Sequence, residues 1–147
     1  MLPERPRGGR GPRERVDERQ VRPRAVWLPQ AQVRTTDAGS SDAYDGLVPA
    51  DLVLLVGIFG NISDADLWRT LAFAPQLCAP GATLLWSRGL DGSDRNDQVR
   101  ARLADAGFTE LDYATSGGED AAAMGSVRYD GPPVALQPGL PLFTFQR

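Results

Sequence analysis

The chain has 147 residues, 41% of them hydrophobic and 24% charged, with 16 basic side chains against 19 acidic ones and no histidine. That length suits one domain with a real core, and the proportions are ordinary for a globular protein. A single cysteine, Cys78, excludes an internal disulfide, and the lack of histidine removes both a Cys/His metal site and a histidine general base.

No apolar run approaches the ~20 residues of a membrane helix, and no apolar core follows the first residues as in a secretory signal. The expectation is a soluble, cytoplasmic protein without a membrane partner. Charge divides the chain unevenly. Every basic residue is Arg, and nine of them lie in residues 1–34 against Glu4, Glu14, Asp17 and Glu18, a net +5. The remaining seven face fifteen acids, a net −8, which together give the overall −3.

Residues 1–30 repeat Pro, Gly and Arg with few apolar side chains, so burial cannot offset the entropy of ordering them, and a disordered segment is expected. A nucleic-acid arm is disfavoured there, because no aromatic side chain stacks between the arginines and four acids dilute them. Residues 31–147 carry the fold. Ala31 to Thr36 reads as a short strand that ends in the turn Asp37-Ala38-Gly39, and Ser40 to Pro49 is polar and turn-rich with Tyr44 as its large anchor. Ala50 to Gly60, ADLVLLVGIFG, is a continuous aliphatic run without alternation, which predicts a strand buried on both faces in a parallel sheet.

Ser63 is placed to cap a helix, with Asp64 and Asp66 at its positive end. Leu67, Leu71, Ala74 and Cys78 then form an apolar stripe, which Pro75 interrupts and should kink or split. Pro80-Gly81 turns the chain into a second buried strand, Ala82 to Ser87, ending at Arg88. A second helix is expected over Asp94 to Ala106, with Val99, Leu103 and Ala106 on one face and Gly107 as its stop. Phe108 to Tyr113 alternates as a less buried strand does. Ser126 to Tyr129 and Leu142 to Phe145 are late strand candidates, separated by a Pro-rich connection. The order argues α/β with a partly antiparallel edge.

This order resembles a class I S-adenosylmethionine-dependent methyltransferase from its third strand onward. The residues that carry the likeness are Thr36-Asp37-Ala38-Gly39, the run Ala50 to Asp64, and Leu77-Cys78-Ala79-Pro80-Gly81-Ala82-Thr83. The stretch Gly57-Ile58-Phe59-Gly60-Asn61-Ile62-Ser63 is similar to one that recurs in a small bacterial methyltransferase subfamily, and the tail from Gly131 to Phe145 resembles how that group ends. The resemblance implies a partial Rossmann-like sheet with helices on its faces, and S-adenosylmethionine as cofactor with a small-molecule methyl acceptor.

By resemblance, Asp37 accepts from the adenine amino group and Ala38 offers the next backbone N–H, while Gly57, Ile58 and Phe59 lie beside the methionine part of the cofactor. Asp37 also reads as a plain turn residue before Gly39, and Phe59 as a core residue after a strand end. Asn61 and Arg88 are substrate-side candidates, the first also a routine turn residue and the second also a rim charge. No residue is assigned as a catalytic base, and no metal site is expected.

One departure governs the reading. The family's glycine-rich loop after a first apolar strand, and the acid ending its second strand, have no counterpart in these residues. Gly8-Gly9-Arg10-Gly11 lacks both a preceding apolar strand and a following amphipathic helix. The expectation is a truncated methyltransferase with little or no cofactor binding of its own. A central strand left with an unpaired apolar edge would then be open to self-association, and the rival reading is a non-catalytic α/β interaction module.

Overall fold

The computed structural model describes residues 29–146, so the segment expected to be disordered lies outside the described residues save for its last two positions. Within them the aliphatic run at Ala50 forms β1 (Ala50–Leu55), followed by α1 (Asp64–Phe73), β2 (Cys78–Gly89), α2 (Arg95–Asp105), β3 (Phe108–Thr115) and β4 (Ala122–Tyr129). The sheet order is β1-β2-β4-β3, with β1 parallel to β2 and the other two pairings antiparallel. This is a mixed, open α/β sheet with one strand–helix–strand crossover between parallel strands and an antiparallel edge.

Local chemistry sets the helix ends. Ser63 Oγ accepts from the Asp66 backbone N–H at 3.1 Å, filling a donor that the first turn leaves free. Pro75 cannot donate, so α1 stops at Phe73 and the chain tightens into a 3-10 turn over Ala74–Gln76. Gly107 closes α2 with φ +93°, a conformation that costs a side-chain-bearing residue far more.

Both helices pack on one face of the sheet. Leu67 and Leu71 from α1, Val99 and Leu103 from α2, and Leu55, Leu84, Trp86 and Val127 from the strands form one buried cluster. Trp86 is wholly buried, between Phe59 at 6.1 Å and Tyr113 at 6.0 Å between ring centroids. Its indole lies over Gly125 of β4, where an added Cβ would come within 2.6 Å of Cε2.

No described element covers the opposite face, which corrects the expectation of a first strand buried on both sides. Leu52, Leu54 and Val56 are 56%, 58% and 52% exposed, and Met124 is exposed with them. Aliphatic composition encodes a preference for burial but not the layer that would provide it. Regular pairing of β1 also ends at Leu55, after which the chain turns through Gly57 at φ +75° rather than continuing as a strand to Gly60.

Three smaller expectations change. Ala31 to Thr36 forms no strand: these residues are exposed, Val33 by 94%, and no neighbour among the described residues takes up their backbone groups in a ladder. The described sheet therefore starts at Ala50 instead of at a third strand before it. Leu142 to Phe145 is likewise no strand, although Leu142 and Phe143 are buried; a single bridge between Ser40 and Pro141 stands just before it. Pro80-Gly81 is a bulge inside β2, where pairing jumps from Ala50–Cys78 to Leu52–Thr83, instead of a turn before the strand.

Cys78 is buried as expected, but as the first residue of β2. Burial pushes its thiol up to about 11, since the thiolate is the form that loses hydration. The folded state then holds the proton more tightly than the unfolded one, so this contribution to stability is present below the unfolded pKa and declines as pH rises towards about 11. We expect Cys78 to react with an aromatic disulfide reagent at pH 8 only at the rate of unfolding. Rapid stoichiometric reaction of the native protein would contradict the burial.

Candidate functional site

The carboxyl ends of the parallel pair β1 and β2 lie together, the position where open α/β sheets bind ligands. Gly57 lies two residues past the end of β1, and its N–H donates to Ser87 Oγ on β2 at 3.1 Å. Asn61 Nδ2 donates to the Gly57 carbonyl at 2.8 Å, and Asn61 N–H to the Ile58 carbonyl at 2.9 Å, so residues 57–61 form a closed turn. A Cβ added at Gly57 would meet no heavy atom within 4 Å, which leaves open space directly beside this backbone.

The candidate residues divide by burial. Gly57 and Asn61 are exposed and Ile58 is half-buried, whereas Phe59 is 1% exposed and packs on Trp86 as a core residue. Arg88 follows on β2, its stem near Gly60. Its side chain is 9% exposed, with Nη2 donating to Asp91 Oδ2 at 2.8 Å and Nη1 to the Gly89 carbonyl at 3.2 Å. The guanidinium is thus already matched by a carboxylate, and Arg88 holds Asp91 well below the usual carboxylate range. Asp64, at the start of α1, is lowered by its two-pronged pairing with Arg95, whose Nε and Nη2 both donate at 2.7 Å.

Asp37 and Ala38 stand in a separate turn. Asp37 Oδ1 accepts from Gly39 N–H at 2.8 Å, the turn geometry that its sequence context allows, while its second carboxylate oxygen accepts from none of the described residues. Tyr44 donates its hydroxyl to the Ala38 carbonyl at 2.7 Å. Burial, and then the Asp37 charge, raise the Tyr44 pKa above its ordinary value and keep the donor protonated.

One segment connects the two turns. Leu142 N–H donates to the Gly39 carbonyl at 2.6 Å, Thr144 N–H to Asp66 Oδ2 at 3.1 Å, and Gln146 N–H to the Asn61 carbonyl at 2.8 Å. Residues 142–146 therefore run as a strap from the Asp37 turn, past the start of α1, to the Gly57–Asn61 turn. At ~3.5 Å per residue the strap separates the two by less than ~20 Å. Gln146 and Ser87 were not singled out in the sequence. Ser87, a small polar residue closing an aliphatic strand, was the available signal, whereas a C-terminal Gln carries none.

Chemically this end offers backbone donors and acceptors, one Asn amide and one carboxylate with a spare oxygen. No group of three or more Cys, Asp or Glu side chains able to hold a metal ion occurs among the described residues. A groove of about 400 Å³ between α1 and the segment before the strap, lined by Phe73, Gln76, Gln137 and Leu140 among others, includes none of the candidate residues. No described helix is long and apolar enough to cross a membrane.

No family model matches this chain, and no curated protein does. Among solved structures, the N-methyltransferase NodS from Bradyrhizobium japonicum WM9, in complex with S-adenosyl-L-homocysteine, is similar at 18% identity and TM-score 0.47, over 55% of this chain and 46% of NodS. A second NodS structure gives 17% identity and TM-score 0.45, over 55% and 51%. A proposed DNA modification methylase from Thermus thermophilus gives 15% and 0.42, over 64% and 52%. The chain spans about half the length of these matches.

The strap contact generates a test. A Cβ on residue 39 would overlap the Phe143 carbonyl oxygen, and both partners are backbone, so neither can swing aside. Gly39→Ala should destabilise the fold by about 3 kcal/mol, at the upper end of overpacking costs, in urea denaturation. A loss below about 0.5 kcal/mol would mean that the strap does not approach residue 39 in solution.

Proposed function

We propose that this chain is the C-terminal portion of an S-adenosylmethionine-dependent methyltransferase acting on a small molecule, with the Gly57–Asn61 turn and the Asp37 turn forming one wall of the cofactor cleft. The observation that supports this most is the exposed Gly57 turn at the carboxyl end of a parallel strand, on the stretch of sequence that carries the family resemblance.

In this reading the Gly57 and Ile58 backbone lies along the methionine portion of the cofactor. The spare Asp37 oxygen and the Ala38 N–H face the adenine, whose exocyclic amine needs an acceptor. Asn61 keeps one amide hydrogen on Gly57 and has its oxygen for the acceptor substrate. The reaction asks for alignment more than for acid–base chemistry. S-adenosylmethionine, when bound, would supply an activated methyl group, and the part of these residues would be to hold it and the acceptor's lone pair in line.

The second wall would come from a strand and glycine-rich loop added at the free edge of β1, so cofactor affinity of these 147 residues alone should be very low. The protein titrated with S-adenosylhomocysteine should give no saturable heat at micromolar concentration. At millimolar ligand, amide NMR shifts should move at Ala38, Gly57, Ile58 and Asn61 alone, and Asp37→Asn should weaken the Ala38 response several-fold. Shifts confined to other surfaces, or none at all, would refute the placement.

A further inference from the structure

The two outer strands of this sheet are unlike one another. The β3 edge carries Glu110 and Asp112 with a bulge between them, the devices that keep a sheet edge from pairing with another chain. Past Asp51 and the register shift between Ala50 and Leu52, the β1 edge has none of these. From Leu52 to Phe59 it contains no charge and no proline, it is regular from Leu52 to Leu55, and no described element covers it. Leu52, Leu54 and Val56 stand more than half exposed on the bare face beside it.

We infer that this edge pairs with the β1 edge of a second copy of the chain, antiparallel about a two-fold axis at Leu54. The sequence is self-complementary in that register. Leu52 faces Val56, Leu54 faces Leu54, and Val53 faces Leu55, so every opposed pair between residues 52 and 56 is aliphatic. Asp51, the one charge on the strand, falls opposite Gly57 instead of opposite its own copy, and like charges are not brought together. The chain's net charge of −3 opposes association only weakly.

Six half-exposed aliphatic side chains and one strand ladder bury less than the ~1,000 Å² expected of a permanent complex. The pair is therefore reversible, with monomer and dimer exchanging across the micromolar range. It also occupies the edge at which a further parallel strand would add, so self-pairing and completion of a cofactor cleft exclude each other. The dimer itself does not depend on the methyltransferase reading, because it is measured with no cofactor present.

Sedimentation velocity of the full chain, from low micromolar to submillimolar concentration, should show the mass rising from 15.9 kDa towards twice that value. Leu54→Lys should hold the protein at the monomer mass with an unchanged circular dichroism spectrum and melting temperature, while Val134→Lys, at an exposed apolar residue outside the sheet, should leave the dimer intact. Leu54→Cys should form an intermolecular disulfide under mild oxidation, since the two-fold sets residue 54 against itself, and Asp51→Cys should not. A monomer at every concentration, a dimer insensitive to Leu54→Lys, or crosslinking at residue 51 in preference to 54 would each overturn the pairing.

Discussion

The stacking of Trp86 over Gly125 is the contact on which the rest of the structure depends. The indole fills the space where β4 has no side chain and touches Phe59 on one side and Tyr113 on the other. It thereby joins the end of β1, the middle of β2, β4 and the outer strand β3 in one layer beneath the helices. Phe59 is part of that layer, which anchors the turn from Gly57 to Asn61 while its backbone remains exposed. A floor this well packed lets a short, glycine-containing turn hold one shape without a ligand.

Polar groups near that floor are arranged to neutralise charge locally. Arg88 and Asp91, and Arg95 and Asp64, close the carboxyl ends of the strands with matched pairs at the beginnings of the two helices. The exposed Arg95–Asp64 pair contributes little to stability at neutral pH, whereas Arg88 is largely buried and its pair with Asp91 keeps that charge from being left unmatched. Their effect is that both guanidiniums are matched by carboxylates, which leaves backbone groups, Asn61 and Asp37 as the polar groups with spare hydrogen-bonding capacity at this end.

How much of this was legible in the sequence depended on the range of the cause. The Ser63 cap, the end of α1 at Pro75, the stop at Gly107 and the Asp37 turn all follow from residues within a few positions of one another, and each stands where the local rules put it. The bare face was not legible, because Leu52, Leu54 and Val56 look the same whether or not a second layer covers them. Nor was the fate of Leu142 to Phe145, whose alternating pattern suits a strand, but which settles between the Gly39 turn and α1 with its backbone bonded irregularly. For the candidate site, the closeness of Gly57 and Asn61 is a short-range fact. Its link to Asp37 is not, since it runs through a segment about a hundred residues later.

That distant link has a dynamic consequence. Ser41 Oγ accepts from Leu140 N–H across 99 positions, and Asp42 from Gly139 N–H across 97, so the residues just before the strap are tied down by contacts that close long loops, as the strap itself is. Local openings of such a segment are fluctuations that fall short of global unfolding. Each opening frees the Gly39 and Asn61 carbonyls together, because the same five-residue stretch holds both. The two turns are thereby coupled, since the far end of the chain covers or releases an acceptor in each of them at once.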